Sequence, residues 1–182
     1  MRPDPLGCDS CASGAEICSD LARKTPRPQD SRATGTQTHP ADGTAGVVVT
    51  SGPVTGTGPV ARLLSAAFAR VDKSRMPEAP VPAARAALEH DGIGIEGVHV
   101  VTTHSPFAVN DVYFSQQMGV AIDAMNPYGC SLIYGHPQAP TGMRAITELL
   151  WALERRGGGI GLFTGCAAGD TAGAVAVQVD SP

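Results

Sequence analysis

An α/β fold with a loose N-terminal extension is predicted for this chain of 182 residues. The main observation is alternation: from residue 58 onward, short β-branched or apolar runs take turns with segments of helical spacing. Glycine- and proline-rich turns separate them. Composition agrees, because 42% hydrophobic residues suffice for a core while only 4% are aromatic. The 22 glycines and 15 prolines point to close packing of small residues and backbone-driven loops. Before residue 42 the chain is rich in Pro, Ser, Thr, Asp and Arg, and only Ala15 to Lys24 could make a short helix. Residues 1–41 offer too little apolar surface to offset ordering entropy, and are expected to be irregular unless they lie on a partner.

The elements follow in order. Gly46 to Thr50 is a short β-branched run, and Val60 to Arg70 a second strand. Pro82 to His90 reads as a helix with an early proline, closed by Gly92. Val98 to Thr102 has the apolar character of a buried strand. Pro106 to Met118 is the next helix, stopped at Gly119, and Ser131 to Tyr134 a short strand leading into Gly135-His136-Pro137. Thr141 is placed as the cap of the clearest helix, where Met143, Ile146, Leu149, Leu150 and Leu153 recur at helical spacing. Arg155 and Arg156 suit its last turn, and Gly157 to Gly159 end it. Ile160 to Thr164 and Ala174 to Val179 are the last strands. The order from residue 58 is β-α-β-α-β-α-β-β, which predicts five strands in a mostly parallel sheet with helices packed on it.

Charge and cysteine usage exclude several roles. A net charge of -4 leaves no basic patch for nucleic acid or a membrane surface. No apolar run approaches the roughly 20 residues that span a bilayer. Met1-Arg2-Pro3-Asp4-Pro5 has no apolar stretch after its charge, so no signal peptide is expected and the cytoplasm is the expected location. Five cysteines, with Cys8, Cys11 and Cys18 near the start, read as free thiols in that compartment. Cys8 and Cys11 form a C-x-x-C, but no second pair at suitable spacing completes a metal site, and none is expected.

Three strand ends carry residues with chemistry. Gly135-His136-Pro137 sets an imidazole between a residue with free backbone angles and one with fixed φ. Such a histidine can act as a base near neutral pH and can raise the thiolate fraction of a cysteine beside it. Taken alone, a turn histidine held by local hydrogen bonds is the simpler reading. Phe163 to Asp170 places Cys166 among small residues after a strand, open to a ligand and to an oxyanion site of backbone N–H groups, or else simply buried as a small hydrophobe. Thr103-His104-Ser105-Pro106-Phe107 is the third strand end. His39, His90 and His99 have no evident positioned partner and read as structural or solvated. Neither Gly157-Gly158-Gly159 nor Gly56-Thr57-Gly58 is a phosphate loop, since the lysine of that motif is missing.

In register, these segments resemble the C-terminal half of the thiolase family. Asn126 to Pro137 resembles the family's N-x-x-G-G-x-x-x-x-G-H-P, and Thr141-Gly142-Met143-Arg144 its G-A-S/T-G-x-R run. Leu162 to Gly169 is similar to the loop of the C-terminal catalytic cysteine. Pro80 to Ala83 resembles G-P-V-P-A, and Asp42 to Ala45 resembles N-D-G-A-A. The resemblance covers residues 33 to 180. It implies a thiolase-like half over residues 58–182, a mixed five-stranded sheet with helices on both faces, with residues 42–57 a remnant strand and linker of the first half. It also implies an acyl-CoA C-acyltransferase of lipid metabolism, such as an acetyl-CoA acetyltransferase, with no permanently bound cofactor and a coenzyme A thioester as substrate. His136 would take the proton of the nucleophilic cysteine and help to form the oxyanion hole, and Cys166 would be the second acid/base. His104-Ser105-Pro106-Phe107 stands where the family has N-E-A-F, closer to the H-D-C-F of sterol-carrier-type thiolases, which gives His104 an oxyanion role. Phe107 would line the pantetheine channel, and Thr38 would contact coenzyme A.

The sequence departs from the pattern in two ways. Ala167-Ala168-Gly169-Asp170 replaces the usual x-G-G-G after the cysteine, so two methyl groups and a carboxylate are expected to narrow the pocket or raise the thiol pKa. The first thiolase half, with its acyl-accepting cysteine, has no room in this chain. Cys11-Ala12-Ser13-Gly14 imitates the nucleophile motif, but no strand precedes it and its helix soon meets Pro26. The chain is therefore expected to be nearly inactive alone. A second chain supplying the missing half, with oligomerisation when complete, is one reading; a truncated remnant and a non-catalytic CoA- or lipid-binding module are the others.

Overall fold

The computed structural model describes residues 36–54 and 58–180. The expected Ala15–Lys24 helix and the three N-terminal cysteines lie outside the described residues. Four strands, β1 (Arg62–Arg70), β2 (Val100–Thr103), β3 (Gly159–Ala167) and β4 (Thr171–Val179), form one sheet in the order β1-β4-β3-β2. The helices are α1 (Pro80–His90), α2 (Ala108–Met118), the single turn α3 (Ser131–Tyr134) and α4 (Thr141–Arg155).

The sheet is mixed, as the resemblance implied, but among the described residues it has four strands instead of five and is mostly antiparallel. Only β2 and β3 run parallel; β3–β4 and β1–β4 are antiparallel. The link from β3 to β4 is too short for a crossover helix, so the two strands can only fold back as a hairpin. Its turn uses left-handed backbone at Gly169 (φ 83°) and Asp170 (φ 59°). The fifth expected strand, Ser131 to Tyr134, is the helical turn α3. Asn126 (φ 52°) and Gly129 (φ 102°) reverse the chain before it. The turn then closes on itself through Tyr134 N–H to Cys130 O (3.2 Å) and Gly135 N–H to Ser131 O (2.9 Å). Four residues cannot declare helix or strand by periodicity, and among the described residues no strand pairs with them.

Helices cover both faces, as expected. Successive residues of β3 serve opposite faces: Leu162 joins Ala84, Ala87 and Phe114 under α1 and α2, whereas Phe163 joins Leu149 and Leu153 under α4. Each fully buried leucine of that kind contributes on the order of 1.5–3 kcal/mol. Small residues set the spacing, as the composition suggested. A Cβ at Gly161 would lie 2.7 Å from Leu149 Cδ1 and 2.8 Å from Leu153 Cδ1, so α4 sits on β3 at a distance only glycine permits. Helix ends follow their local chemistry: prolines occupy the first turn of α1, and Gly119 ends α2 in the left-handed region (φ 72°). Thr141 does not cap α4, because the helix starts from Pro140 without a side-chain cap.

Residues 37–41 lie along the segments that follow β2 and α3. Gln37 bridges Phe107, Pro40 bridges His136, and Thr38 N–H donates to Pro106 O (2.8 Å). The strand expected at Gly46 to Thr50 does not form. No strand pairs with it among the described residues, and Val48 and Val49 are 85% and 84% exposed. Among the described residues no helix is long and apolar enough to cross a membrane.

Candidate active site

Parallel pairing of β2 with β3 brings their C-terminal ends out at one edge, the place where open α/β sheets expose their sites. The register Thr103↔Thr164 is continued by His104 N–H donating to Thr164 O (3.1 Å). His104 therefore leaves β2 beside Cys166 near the end of β3. His136 arrives from α3 through Gly135 (φ 82°), where a Cβ would come within 2.5 Å of Ala41 Cβ. Glycine is required there both by the backbone angle and by the close approach of residues 39–41. His136 N–H then donates to His39 O (2.8 Å).

The three side chains meet. His104 Nε2 is 3.2 Å from His136 Nδ1, with ring centroids 4.4 Å apart. His104 Nδ1 is 3.2 Å from the Cys166 carbonyl oxygen and 3.9 Å from Cys166 Sγ. His136 Nδ1 also lies 2.8 Å from Thr141 Oγ1. Phe107 is half-buried at the start of α2, and Thr38 lies beside it, its hydroxyl donating to Ser131 O (2.6 Å). The five expected site residues thus come to one region: His104 in contact with both His136 and Cys166, and Phe107 and Thr38 nearby.

Burial decides the charge states. His104 is pushed down to about 4, first by burial and then by His136, against the Cys166 carbonyl, which favours the charged ring. His136 is also lowered by burial. Both imidazoles are accordingly neutral at neutral pH. The Cys166 thiol is pushed up to about 11, again chiefly by burial. The expected effect of the loop after Cys166 needs correcting. Ala167 and Ala168 are exposed, and the carboxylate that raises the thiol pKa is Asp111, in addition to burial. The cleft beside the thiol, bordered by His104, Pro106, Asn110 and Thr164, offers about 10 Å³, room for about one water and too little for an acyl group.

Several site residues escaped sequence reasoning. Asn110 Nδ2 donates to Cys166 Sγ at 3.3 Å. Asp111 accepts hydrogen bonds from Thr103 Oγ1 (2.7 Å) and Ser105 Oγ (2.5 Å), and Asn126 Nδ2 donates to Thr103 Oγ1 (2.8 Å). This buried network holds Ser105 in the left-handed region (φ 48°) and so sets the direction in which His104 leaves the strand. Burial raises the Asp111 carboxyl above its usual range, opposed by the Ser105 and Thr103 hydroxyls. A signal for two of these was present: Phe107, Asn110, Asp111, Phe114 and Met118 share one helical stripe, so two polar residues stand on an apolar face.

Known proteins share this arrangement of chain. Residues 57–179 match the family model described as thiolase, C-terminal domain. A 3-ketoacyl-CoA thiolase of Serratia proteamaculans (strain 568) is 36% identical over 76% of this chain and 37% of its own length. That of Enterobacter sp. (strain 638) is 30% identical over 97% of this chain and 46% of its own. The chain thus spans less than half the length of these relatives. Among solved structures, human mitochondrial 3-ketoacyl-CoA thiolase, also solved in complex with CoA, matches with a TM-score of 0.63 at 28% identity, over 65% of this chain and 30% of that one. The Bacillus anthracis acetyl-CoA acetyltransferase matches with a TM-score of 0.64 at 27% identity, over 66% of this chain and 31% of that one. With its four-stranded sheet, its His104–His136–Cys166 edge and a family match over most of its length, the chain belongs to the thiolase family, in the part that forms the C-terminal domain.

Proposed function

We propose that this chain supplies the proton-handling half of a thiolase-type acyl-CoA C-acyltransferase, which makes or cleaves a carbon–carbon bond between coenzyme A thioesters. The observation that carries this reading is the meeting of His104, His136 and Cys166 from three separate segments at one sheet edge. His136, neutral at neutral pH, takes the proton of an acyl-accepting cysteine supplied by a first thiolase half. Cys166 exchanges the proton at the carbon that becomes the nucleophile. A thiolate whose conjugate acid lies near 11 is a stronger base than an ordinary one, which suits removal of a weakly acidic C–H proton. Phe107 borders the pantetheine. Thr38, whose hydroxyl hydrogen already serves Ser131 O, meets coenzyme A as an acceptor. On this reading the activity is cytoplasmic and belongs to lipid metabolism, and coenzyme A comes and goes as substrate.

The first half comes from a longer polypeptide or a separate chain. Exposed apolar side chains on this unit favour such a partner: Phe68 is 87% exposed and Leu63 59% on β1, the edge strand. The test is reconstitution. The 182-residue chain is assayed for thiolysis of acetoacetyl-CoA, alone and with a thiolase first half added in trans. Turnover only in the mixture, abolished by Cys166→Ser, supports the reading. Ordinary enzyme rates from the chain alone would overturn it. Binding of CoA esters that survives loss of both His136 and Cys166, without turnover in the mixture, would identify a non-catalytic binding module instead.

A further inference from the structure

We propose that His104 is a positioning residue that sets the tautomer of His136, making His136 Nε2 a bare base before reaction and an N–H donor only after it has taken a proton. The role rests on the acyl-transfer reading for its purpose, but its geometry is independent of that reading. The chain of deduction starts at the Cys166 carbonyl. A carbonyl oxygen only accepts, so the 3.2 Å contact with His104 Nδ1 requires the proton on Nδ1. In a neutral imidazole the other nitrogen is then bare. His104 Nε2 must therefore accept, and its 3.2 Å neighbour, His136 Nδ1, must donate. The same N–H lies 2.8 Å from Thr141 Oγ1, which accepts alongside. His136, also neutral, is left with its lone pair on Nε2. Burial of both rings keeps them in the neutral state that the deduction needs.

Two consequences follow. Both nitrogens of His104 are committed, Nδ1 to the Cys166 carbonyl and Nε2 to His136, so His104 acts on an oxyanion through His136 and not by a hydrogen bond of its own. His136 Nε2 cannot donate to an oxyanion until it has accepted a proton from the nucleophilic thiol. The S–H bond that breaks and the N–H bond that forms are one transfer, and it creates the thiolate nucleophile and the oxyanion donor together. The donor is thus absent while the nucleophile is still a thiol.

The experiment reads tautomers in the intact chain with its five histidines ¹⁵N-labelled, using long-range ¹H–¹⁵N spectra at neutral pH and assignment by single substitutions. In the unsubstituted protein, His104 and His136 should both show a protonated Nδ1 and a bare Nε2. His104→Phe should abolish the Nδ1–H form of His136 in favour of Nε2–H, the form that Thr141 would then stabilise by donating. Thr141→Val, with His104 intact, should leave the His136 tautomer unchanged. Cys166→Ala, which keeps the backbone carbonyl, should leave both unchanged. A protonated Nε2 on His136 in the unsubstituted protein overturns the proposal without need of any variant. A tautomer that follows Thr141, or that is indifferent to His104, overturns it as well. No thioester or first half enters these spectra, so their outcome is separate from that of reconstitution.

Discussion

The thiol of Cys166 should be a slow nucleophile toward alkylating agents, in spite of its place near the end of β3. Its proton affinity is raised from an ordinary 9.0 to about 11, with burial as the main cause and Asp111 adding to it. Two units correspond to about 2.7 kcal/mol against the thiolate. At pH 8 an ordinary thiol is roughly one-tenth ionised, whereas Cys166 is ionised in about one molecule per thousand. Alkylation by iodoacetamide, followed by mass spectrometry of the Cys166 peptide, should run about 100-fold slower in the native chain than in the unfolded chain at that pH. The rate should climb about tenfold per unit between pH 7 and 10 without levelling, while the unfolded chain levels near 9. Because the folded state holds this proton more tightly, the matching stability is complete below the unfolded value and is lost as pH rises from 9 toward 11. Asn110→Leu removes the N–H donor at 3.3 Å and should slow labelling by a further tenfold or so, since hydrogen bonds to a charged acceptor contribute about 1.5–3 kcal/mol. A native rate that levels below pH 9 would refute the claim that burial controls this thiol.

Three other outcomes can be checked on the same protein. His104, depressed from 6.5 to about 4, contributes stability that is present above 6.5 and lost as pH falls through 4. Urea unfolding should therefore show the unsubstituted chain losing about 3 kcal/mol more than His104→Gln between pH 7 and 4. Gly135→Ala must accommodate φ 82° and a Cβ 2.5 Å from that of Ala41. It should cost about 1–3 kcal/mol and speed hydrogen exchange at the His136 amide, which donates to His39 O. Leu149→Ala, in the core between α4 and β3, should cost about 2–5 kcal/mol in the same unfolding assay while leaving alkylation of Cys166 unchanged.

What could be read beforehand differed by the range of the cause. Helices with a clear period or a glycine stop, such as α2 and α4, were located within a few residues, because local chemistry ends them. Ser131 to Tyr134 is not legible as a helix because four residues carry no period, and the turn-forming Asn126 and Gly129 act from outside the segment. Thr141 was read as a helix cap because its type fits one; its hydroxyl in fact faces His136, a partner five residues earlier. Strand direction was misjudged where a three-residue turn outweighed the alternating pattern. Of the residues at this edge, His104, His136 and Cys166 could be named from sequence because motifs carry them. Asn110 and Asp111 show only as polar residues on an apolar helical stripe, while Thr103, Ser105 and Asn126 lie at a strand end and in turns that only the fold brings together.

The segment at Thr38 and His39 also bears on how the site comes into being. Thr38 Oγ1 reaches Ser131 O across 93 residues of chain, and His104 meets Cys166 across 62. Such contacts are reached only after long loops have closed, and loop closure is unfavourable until other contacts compensate. Only the β3–β4 hairpin forms from short-range pairing, because β1 reaches β4 across as many as 116 residues, at Arg62 and Gln178. In refolding, the hairpin should therefore gain protection first, and the rest of the sheet together with the amide of His136 after it. The Thr38–Ser131 and His104–Cys166 contacts would then form along with the long-range pairing of the sheet itself.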